Sequence, residues 1–217
     1  MRDLIIFGNS IFAEVAIYYF SNFSKYKVCY VSCEKKYKKN FFDNNIEQIT
    51  LEEALKKNKK KYQIFIAIGY SKMNTIRQKF YSKFKLKGFK MANFIHPSSS
   101  VLSKKIGDNN FIMDNVSINP FTAIGNNNIF WSGNIIGHHC NIGNSNFFSG
   151  NSTISGSCKI KDNNFFGVNT STKDGITVGK KCFIDANQHI SKNLPDEIFF
   201  NKEINPKLIL KTSQIFN

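Results

Sequence analysis

The fold is decided between residues 106 and 190, where the chain reads IGDNNF-IMDNVS-INPFTA-IGNNNI-FWSGNI-IGHHCN over the first six hexads. An apolar residue begins every hexad up to Ile190 except one, which begins with Thr172. Ile-Gly or Val-Gly also recurs at eighteen-residue spacing, at Gly107, Gly125, Gly143 and Gly179, with Lys161 in the fourth place of the row. A six-residue repeat inside an eighteen-residue repeat predicts a triangular parallel β-helix, in which each short strand points one side chain into the prism.

The predicted corners carry residues that tolerate a left-handed backbone. One coil position is held by Asn115, Gly133, Asn151, Asn169 and Asn187, and Asn and Gly adopt that conformation most readily. Each fully buried Ile or Phe contributes roughly 1.5–3 kcal/mol, so the hexad ladder is the main source of stability for the second half. An Asn-rich low-complexity tract is the alternative, but such tracts do not keep an apolar register over so many steps.

The composition indicates a soluble chain with two compact units. The 217 residues are 41% hydrophobic, and no apolar run reaches membrane-spanning length. The start MRDLIIFG lacks the features of an export signal, and the five cysteines have no disulfide-scaffold spacing, so we expect a cytoplasmic protein. We expect Cys140 and Cys158 to stack as small buried side chains on neighbouring coils rather than to form a bridge.

The formal net charge of +15 raises the question of nucleic-acid binding. Residues 1–90 carry 19 Lys and Arg against 7 Asp and Glu, whereas residues 91–217 carry 11 against 8. The lysine runs at residues 35–39 and 56–61 lack the aromatic interleaving and the groove-fitting helix of a nucleic-acid reader. We interpret them as solvated surfaces whose field also attracts a phosphate-bearing substrate, and we expect no nucleic-acid partner.

The first half alternates strand and helix patterns. Thr50-Leu51-Glu52-Glu53 forms a capping box that starts a helix. We predict strands over residues 4–7, 27–31, 63–68 and 89–94, and helices over residues 11–20, 50–58 and 73–85. This order predicts a small parallel sheet with helices on its faces, and such sheets bind ligands beyond the carboxyl ends of their strands.

Two loops lie at this predicted crevice, Gly8-Asn9-Ser10 and Gly69-Tyr70-Ser71. Each follows a strand and precedes a helix, so its backbone N–H groups and the helix dipole favour an anion such as a nucleotide phosphate. The first loop is a poor dinucleotide fingerprint, because Ser10 and Ala13 stand where glycines are expected and no acidic residue ends the second strand. A phosphate site and a plain tight turn both remain open for these loops.

The chemical signal in the repeat is IGHHCNIG at residues 136–143. Ile136 and Ile142 hold the inward hexad position, so we expect His138 and His139 on or near the outer surface. An outward imidazole can accept a proton and suits a general base, and a surface histidine of no consequence is the alternative. A metal site that includes Cys140 is disfavoured, since adjacent residues of a strand point to opposite faces, and we predict no bound metal.

These hexads, the opening IFGNS at residues 6–10 and the junction NFIHPSSSV at residues 93–101 resemble the sugar O- and N-acyltransferases of the left-handed β-helix superfamily. The nearest resemblance is to the amino-sugar N-acetyltransferases of bacillosamine-type pathways and to the sialic acid O-acetyltransferases. It implies a Rossmann-like α/β sugar-nucleotide-binding domain at residues 1–92 and a left-handed parallel β-helix acyltransferase domain at residues 93–194. We expect residues 195–217 to fold back as a short C-terminal cap over the last coil.

The resemblance implies an acetyltransferase of surface-glycan biosynthesis that forms a homotrimer. Acetyl-CoA is the implied cosubstrate and lies between two prisms, while the N-terminal domain holds a sugar or nucleotide-sugar acceptor. His138 falls on the family's catalytic histidine, which takes the proton from the acceptor in one ternary complex without an acyl-enzyme. His139 is the second candidate catalytic residue.

Further site residues follow from the same resemblance. Gly156 matches a glycine whose backbone N–H binds the thioester oxygen as it becomes an oxyanion, and Val168 and Ala186 match positions along the CoA path. The residues expected to bind the acceptor are Gly8, Asn9, Ser10, Gly69 and Tyr70. The candidates for contact with the CoA phosphates are Lys159, Lys173, Lys180 and Lys181.

The sequence departs from the family pattern at four places. His139 stands where the family carries an acidic residue after the catalytic histidine, and Phe147 aligns with a second histidine near the thiol of acetyl-CoA. Ile11 and Phe12 replace Gly and His in the first loop, and Ser32-Cys33 replaces an acidic pair. A catalytically silent β-helix that binds a sugar nucleotide or acts as a scaffold is therefore the alternative function, and a metal-dependent hydrolase is disfavoured. O- or N-acylation, the acceptor sugar and the acyl length stay open.

Overall fold

A computed structural model describes residues 2–38 and 46–202. The first part of the chain forms a sheet of four parallel strands in the order β3-β2-β1-β4, with helices packed on it. In chain order its elements are β1 Arg2–Phe7, α1 Ile11–Phe23, β2 Tyr26–Cys33, the 3-10 helix Lys35–Tyr37, β3 Glu47–Thr50, α2 Leu51–Lys56, β4 Tyr62–Ile66 and α3 Thr75–Leu86. The predicted parallel α/β domain is therefore present.

The predicted capping box starts α2. The Thr50 hydroxyl accepts a hydrogen bond from the Glu53 N–H, and the Glu53 carboxylate accepts one from the Thr50 N–H at 2.7 Å. These bonds satisfy backbone donors that a helix N-terminus otherwise leaves without a partner.

The predicted strand over residues 89–94 is wrong. It reduces to one bridge between Met91 and Ile64, while Phe94 belongs to a strand of the β-helix. The sheet's fourth strand is β3, which the prediction missed because Ile49 is its only buried residue. A half-exposed edge strand of this kind carries too little apolar pattern to be recognised.

The remainder of the described chain is a left-handed parallel β-helix built from three sheets of two-residue strands. The seven-stranded sheet holds β5 Phe94–Ile95, β8 Phe111–Ile112, β11 Ile129–Phe130, β14 Phe147–Phe148, β17 Phe165–Phe166, β20 Phe183–Ile184 and β22 Phe199–Phe200. The six-stranded sheet holds β6 Ser100–Val101, β9 Ser117–Ile118, β12 Ile135–Ile136, β15 Thr153–Ile154, β18 Ser171–Thr172 and β21 His189–Ile190. The five-stranded sheet holds β7 Lys105–Ile106, β10 Ala123–Ile124, β13 Asn141–Ile142, β16 Lys159–Ile160 and β19 Thr177–Val178.

Residues eighteen apart pair between coils, as the repeat predicts. Ile142 pairs with Ile124 on one side and Ile160 on the other, and all three side chains are buried in the prism. The rings of Phe130 and Phe148 stack inside it with centroids 4.8 Å apart. These ladders confirm the predicted core.

Thr172, the polar residue in the hexad series, lies inside the prism. Its hydroxyl accepts a hydrogen bond from the Ser155 N–H at 2.9 Å, so burial leaves no polar atom without a partner. Cys140 and Cys158 lie inside the prism as free thiols. Both predictions for these cysteines, burial and no bridge, agree with the structure.

The N-terminal domain packs on the outer face of the seven-stranded sheet. Phe94, Phe111 and Phe147 point outward from that sheet and are buried in one cluster with α1 and β4. Phe20 of α1 contacts Phe94 at a centroid distance of 5.2 Å, and Phe12 contacts Phe111 edge-on at 5.5 Å. The two domains therefore share a core on the side of the prism that the seven-stranded sheet forms.

The described end of the chain extends the β-helix. Strand β22 pairs in parallel with β20, and Leu194 bridges to Val178, so residues 195–202 continue the coils before any fold-back. The rest of the predicted cap, residues 203–217, lies outside the described residues. The domain boundaries at residues 92 and 194 stay predictions. Within the described ranges no helix has the length and apolar character needed to span a membrane.

Candidate active site

His138 and His139 lie at the corner between the six-stranded and five-stranded sheets. The corner connects β12, which ends at buried Ile136, to β13, which carries buried Ile142. Both imidazoles are exposed, as their position between two inward residues predicts. They are available to a ligand that approaches this edge of the prism.

Gly156 lies one coil further along the same corner, directly against the His138 ring. A Cβ on Gly156 would lie 2.8 Å from Cε1 and 3.0 Å from Nε2 of His138. Real Cβ atoms do not approach other heavy atoms so closely, and the ring keeps this position only because residue 156 is glycine. Among the described residues the Gly156 N–H meets no hydrogen-bond acceptor, so it is free to donate to a ligand.

His139 is the side chain that pairs with His138. The two Nδ1 atoms are 3.1 Å apart, so one ring donates and the other accepts. If His138 donates from Nδ1, its Nε2 carries the free lone pair and can accept a proton from a ligand. Where the family carries an acid, this chain therefore supplies a second imidazole within hydrogen-bonding distance.

A cavity of about 480 Å³ lies in the N-terminal domain beyond the carboxyl ends of β1, β2 and β4. Four of the five predicted acceptor-binding residues line it: Gly8, Asn9, Ser10 and Gly69. Tyr70, the fifth, is not among the lining residues and packs against Phe147 and Phe165 at 5.3 and 4.6 Å. Tyr70 therefore helps to join the two domains.

Gly8 is required by backbone packing. Its φ is 147°, and a Cβ would lie 2.2 Å from the Ala67 carbonyl oxygen. Its N–H donates to the Ser32 carbonyl at 2.8 Å and is not available to a phosphate. The tight-turn interpretation therefore holds for Gly8.

Charged side chains that the sequence reasoning missed also line the cavity. Lys36, Lys72 and Lys79 lie around it together with Glu34. Lys36 belongs to the lysine run at residues 35–39, which the sequence alone suggests is a solvated surface, but it lines the cavity. Lys72 begins three successive left-handed residues, with φ of 48°, 51° and 63° through Asn74, a strained turn that no local composition signals. The excess of positive charge suits a phosphorylated ligand.

Arg77 fixes this strained segment to the β-helix. Its guanidinium is fully buried and donates five hydrogen bonds, of 2.9–3.3 Å, to Ile68 O, Gly69 O, Asn74 Oδ1, Asn127 O and Asn146 O. Desolvation lowers the pKa of Arg77 to about 9, which still leaves it cationic at neutral pH. The cavity loop is thereby tied to two coils of the β-helix.

One chain does not bring all the predicted site residues together. Val168 and Ala186 follow β17 and β20, at the corner between the seven-stranded and six-stranded sheets. The histidine corner lies at the other edge of the six-stranded sheet. It is also opposite the seven-stranded sheet, which carries the N-terminal domain and its cavity.

Two sequence families match this chain. The PglD N-terminal domain family matches residues 3–84, and the bacterial transferase hexapeptide family, which describes six repeats, matches residues 103–138. The N-terminal domain is therefore similar to the PglD N-terminal domain family, and part of the β-helix matches the hexapeptide repeat of bacterial transferases. These matches agree with the resemblance seen in the sequence. No curated protein sequence matches this chain.

Solved structures share the whole architecture. The acetyltransferase domain of PglB from Neisseria gonorrhoeae, bound to acetyl coenzyme A, has a TM-score of 0.80 at 19% identity over 91% of this chain and 94% of its own. PerB from Caulobacter crescentus, bound to CoA and GDP-perosamine, has a TM-score of 0.78 at 23% identity over 91% and 93%. WeeI from Acinetobacter baumannii has 0.75 at 16% identity over 97% and 100%. At these identities the likeness establishes the fold.

Proposed function

We propose that this protein is an acetyltransferase that moves the acetyl group of acetyl-CoA to a sugar, with a nucleotide-linked amino sugar as the leading acceptor. The observation that carries the proposal is the exposed His138 imidazole, which lies over Gly156 with its Nδ1 against His139. Fold relatives bound to acetyl-CoA, or to CoA with GDP-perosamine, support it. The prediction of an acyltransferase agrees with these comparisons.

The proposed reaction is a direct transfer in one ternary complex. The acceptor amine or hydroxyl attacks the thioester carbonyl while Nε2 of His138 takes its proton. The carbonyl oxygen becomes an oxyanion, and the free N–H of Gly156 donates to it. The tetrahedral intermediate collapses, the C–S bond breaks, and the proton passes from His138 to the departing CoA sulfur. The transferred proton and the developing oxyanion are thus stabilised by groups on two adjacent coils, the His138 imidazole and the Gly156 N–H.

The acceptor is proposed to occupy the cavity of about 480 Å³. Its volume is typical of a small-molecule site, and Lys36, Lys72 and Lys79 at its rim suit the phosphates of a sugar nucleotide. Exposed lysines at residues 159, 173, 180 and 181 are proposed to meet the CoA phosphates. We also propose that the protein acts in surface-glycan synthesis in the cytoplasm.

A homotrimer is proposed because the parts of the site are separated within one chain. His138 and the acceptor cavity lie on opposite sides of the prism. A neighbouring prism supplies the missing part if the histidine corner of one protomer faces the cavity of the next. Acetyl-CoA then lies between the two prisms, with Val168 and Ala186 contributed from the neighbouring protomer's corner.

The direct test is acetyl transfer by the purified protein. We expect incubation with acetyl-CoA and a panel of amino-sugar nucleotides and free nonulosonic acids to give one acceptor that gains a single acetyl group by mass spectrometry, with equimolar free CoA. A catalytically silent sugar-nucleotide-binding protein, suggested by the missing acid at residue 139, would instead bind a panel member by calorimetry and transfer nothing. That result would contradict the proposal.

Substitution of Gly156 by Ala is expected to lower kcat about 10–100-fold, since an imidazole displaced by an ångström loses its attack geometry. The new Cβ would lie 2.8 Å from the His138 ring, and the ring, being free to rotate toward solvent, moves away at little cost to stability. Steady-state kinetics and thermal melting measure the two effects. Gly150→Ala is the matched control, because its nearest atom to a new Cβ is Ser132 O at 3.5 Å. Equal kcat in both variants would remove Gly156 from the site.

A further inference from the structure

Phe121 is the least expected residue at the histidine corner. It lies one coil before His139, its φ is 64°, and 77% of its surface is exposed. Bulky residues rarely adopt a left-handed backbone, and within one protomer the exposed ring buries little apolar surface. Other corners of the same β-helix carry asparagine at a left-handed position, as at Asn115 and Asn127. The corner that carries the candidate base therefore has a residue whose backbone conformation and exposed ring are both unfavourable in the single chain.

The Phe121 ring contacts the His139 ring. Their centroids are 4.7 Å apart and their planes meet at 33°. His139 also has a left-handed backbone, with a φ of 56°, and its N–H donates to the Pro120 carbonyl at 3.2 Å. Ring and backbone contacts from one coil thus hold His139, whose Nδ1 lies 3.1 Å from Nδ1 of His138.

We propose that Phe121 is a positioning residue for the proposed transfer reaction. Its ring holds the His139 imidazole so that Nδ1 of His139 accepts a hydrogen bond from Nδ1–H of His138. This bond selects the His138 tautomer that has its lone pair on Nε2. The proposal rests on the proposed function for its kinetic consequence, but the hydrogen bond itself can be observed without any substrate.

Packing by Phe121 is needed because the hydrogen-bond partner of His138 is an imidazole and not a carboxylate. A carboxylate beside His138 attracts the imidazolium by charge and needs little help to stay in position. A neutral imidazole offers one directed lone pair, which is useful only when the ring is held in the right plane. Phe121 supplies that restraint by packing its ring against His139 at a tilt of 33°.

The first test is Phe121→Asn. Asparagine suits the left-handed backbone, so we expect no loss of melting temperature, while kcat falls about 5–20-fold as the base loses part of its orientation. We expect KM for both substrates to stay within about twofold, because the proposed role is to position the base and not to contact a substrate. Phe121→Tyr keeps the ring and is expected to keep kcat. Leu86→Ala removes another exposed apolar side chain, 88% exposed at the end of α3, and serves as the control.

The second test is a double-mutant cycle with His139→Glu. The carboxylate pairs with His138 by charge, so Phe121→Asn in that background is expected to change kcat less than about twofold. If both substitutions instead lower kcat by the product of their separate effects, or if Phe121→Asn raises KM and leaves kcat unchanged, Phe121 does not position the base. Either result overturns the proposal.

Imidazole ¹⁵N NMR separates this proposal from the proposed function. In the wild-type protein we expect His138 to be protonated at Nδ1 with a hydrogen bond to His139, and we expect that signature to be lost in Phe121→Asn. The signature with no acetyl transfer would contradict the proposed function alone. Acetyl transfer without the signature, or a signature that Phe121→Asn leaves unchanged, would contradict the role of Phe121 alone.

Discussion

His138→Asn is expected to lower kcat about 10²–10⁴-fold, the range that a positioned general base contributes. Asparagine is close to imidazole in size and hydrogen-bonding length, but its amide has no basic nitrogen, so the acceptor must attack without losing its proton. The side chain is exposed and outside the hexad core, so folding is expected to be unaffected. Kinetics with the acceptor found in the mass-spectrometric panel measures the loss.

Binding distinguishes loss of the base from loss of the site. The Kd for CoA, measured by calorimetry, is expected to stay within about twofold, because the substitution removes an interaction made mainly in the transition state. His189→Asn is the matched control, since His189 is also exposed and contacts Ser171 at 2.9 Å. Activity within tenfold of wild type in His138→Asn would mean that another group takes the proton.

The β-helix was predictable because its register is set by a period that side chains show directly. An inward apolar residue at every sixth position fixes both the strand and its partner on the next coil, as the pairing of Ile124 with Ile142 illustrates. Corner asparagines added an independent signal. The sequence did not explain the polar residue Thr172, whose hydroxyl accepts a hydrogen bond from the Ser155 backbone inside the prism.

The α/β domain was less predictable because closely spaced apolar residues at its end are buried against different structural elements. Phe89 and Met91 alternate like a strand and Phe94 follows closely, yet Phe89 packs on Phe84 at the end of α3. Met91 forms one bridge to Ile64, and Phe94 belongs to the β-helix. Alternation alone does not distinguish one strand from three separate burial sites.

The candidate site was predictable in position but not in its contacts. The outward position of His138 follows from the inward Ile136 and Ile142. Its contact with His139 does not, because it depends on a left-handed backbone at residue 139 and on a phenylalanine one coil away. Arg77 left a signal that was overlooked, since it lies on the same helical stripe as buried Phe80 and Phe84. A charged residue on the apolar stripe of a helix indicates a buried charge with hydrogen-bond acceptors around it.

Arg77→Met is expected to lower the free energy of unfolding by about 3–5 kcal/mol, as loss of one member of a buried charged network does. Burial of the cation is itself unfavourable, and its lowered pKa of about 9 reflects that cost. Asn146 O keeps the Ile129 N–H as a second donor at 3.0 Å. The other acceptors decide the sign, because each buried acceptor left without a donor costs about 1–3 kcal/mol. Urea denaturation measures the difference between the variant and the wild-type protein.

Arg77→Lys separates the hydrogen bonds from the charge. An ammonium keeps the charge but offers three donors from one point, so it cannot reach carbonyls on both sides of the domain junction, such as Gly69 O and Asn127 O. We expect at least half of the loss seen with methionine. If lysine restored full stability, the charge and not the fork of donors would hold the junction.

The exposed Arg2 gives the matched control, and Arg2→Met is expected to change stability by less than about 0.5 kcal/mol. Arg77 joins the loop at Ile68 and Gly69 to the coils at Asn127 and Asn146. Its loss should therefore also uncouple the domains, which would appear as a second transition or a reduced m-value. A single transition of unchanged slope and midpoint would show that the aromatic contacts of Phe94 and Phe111 with α1 hold the junction without it.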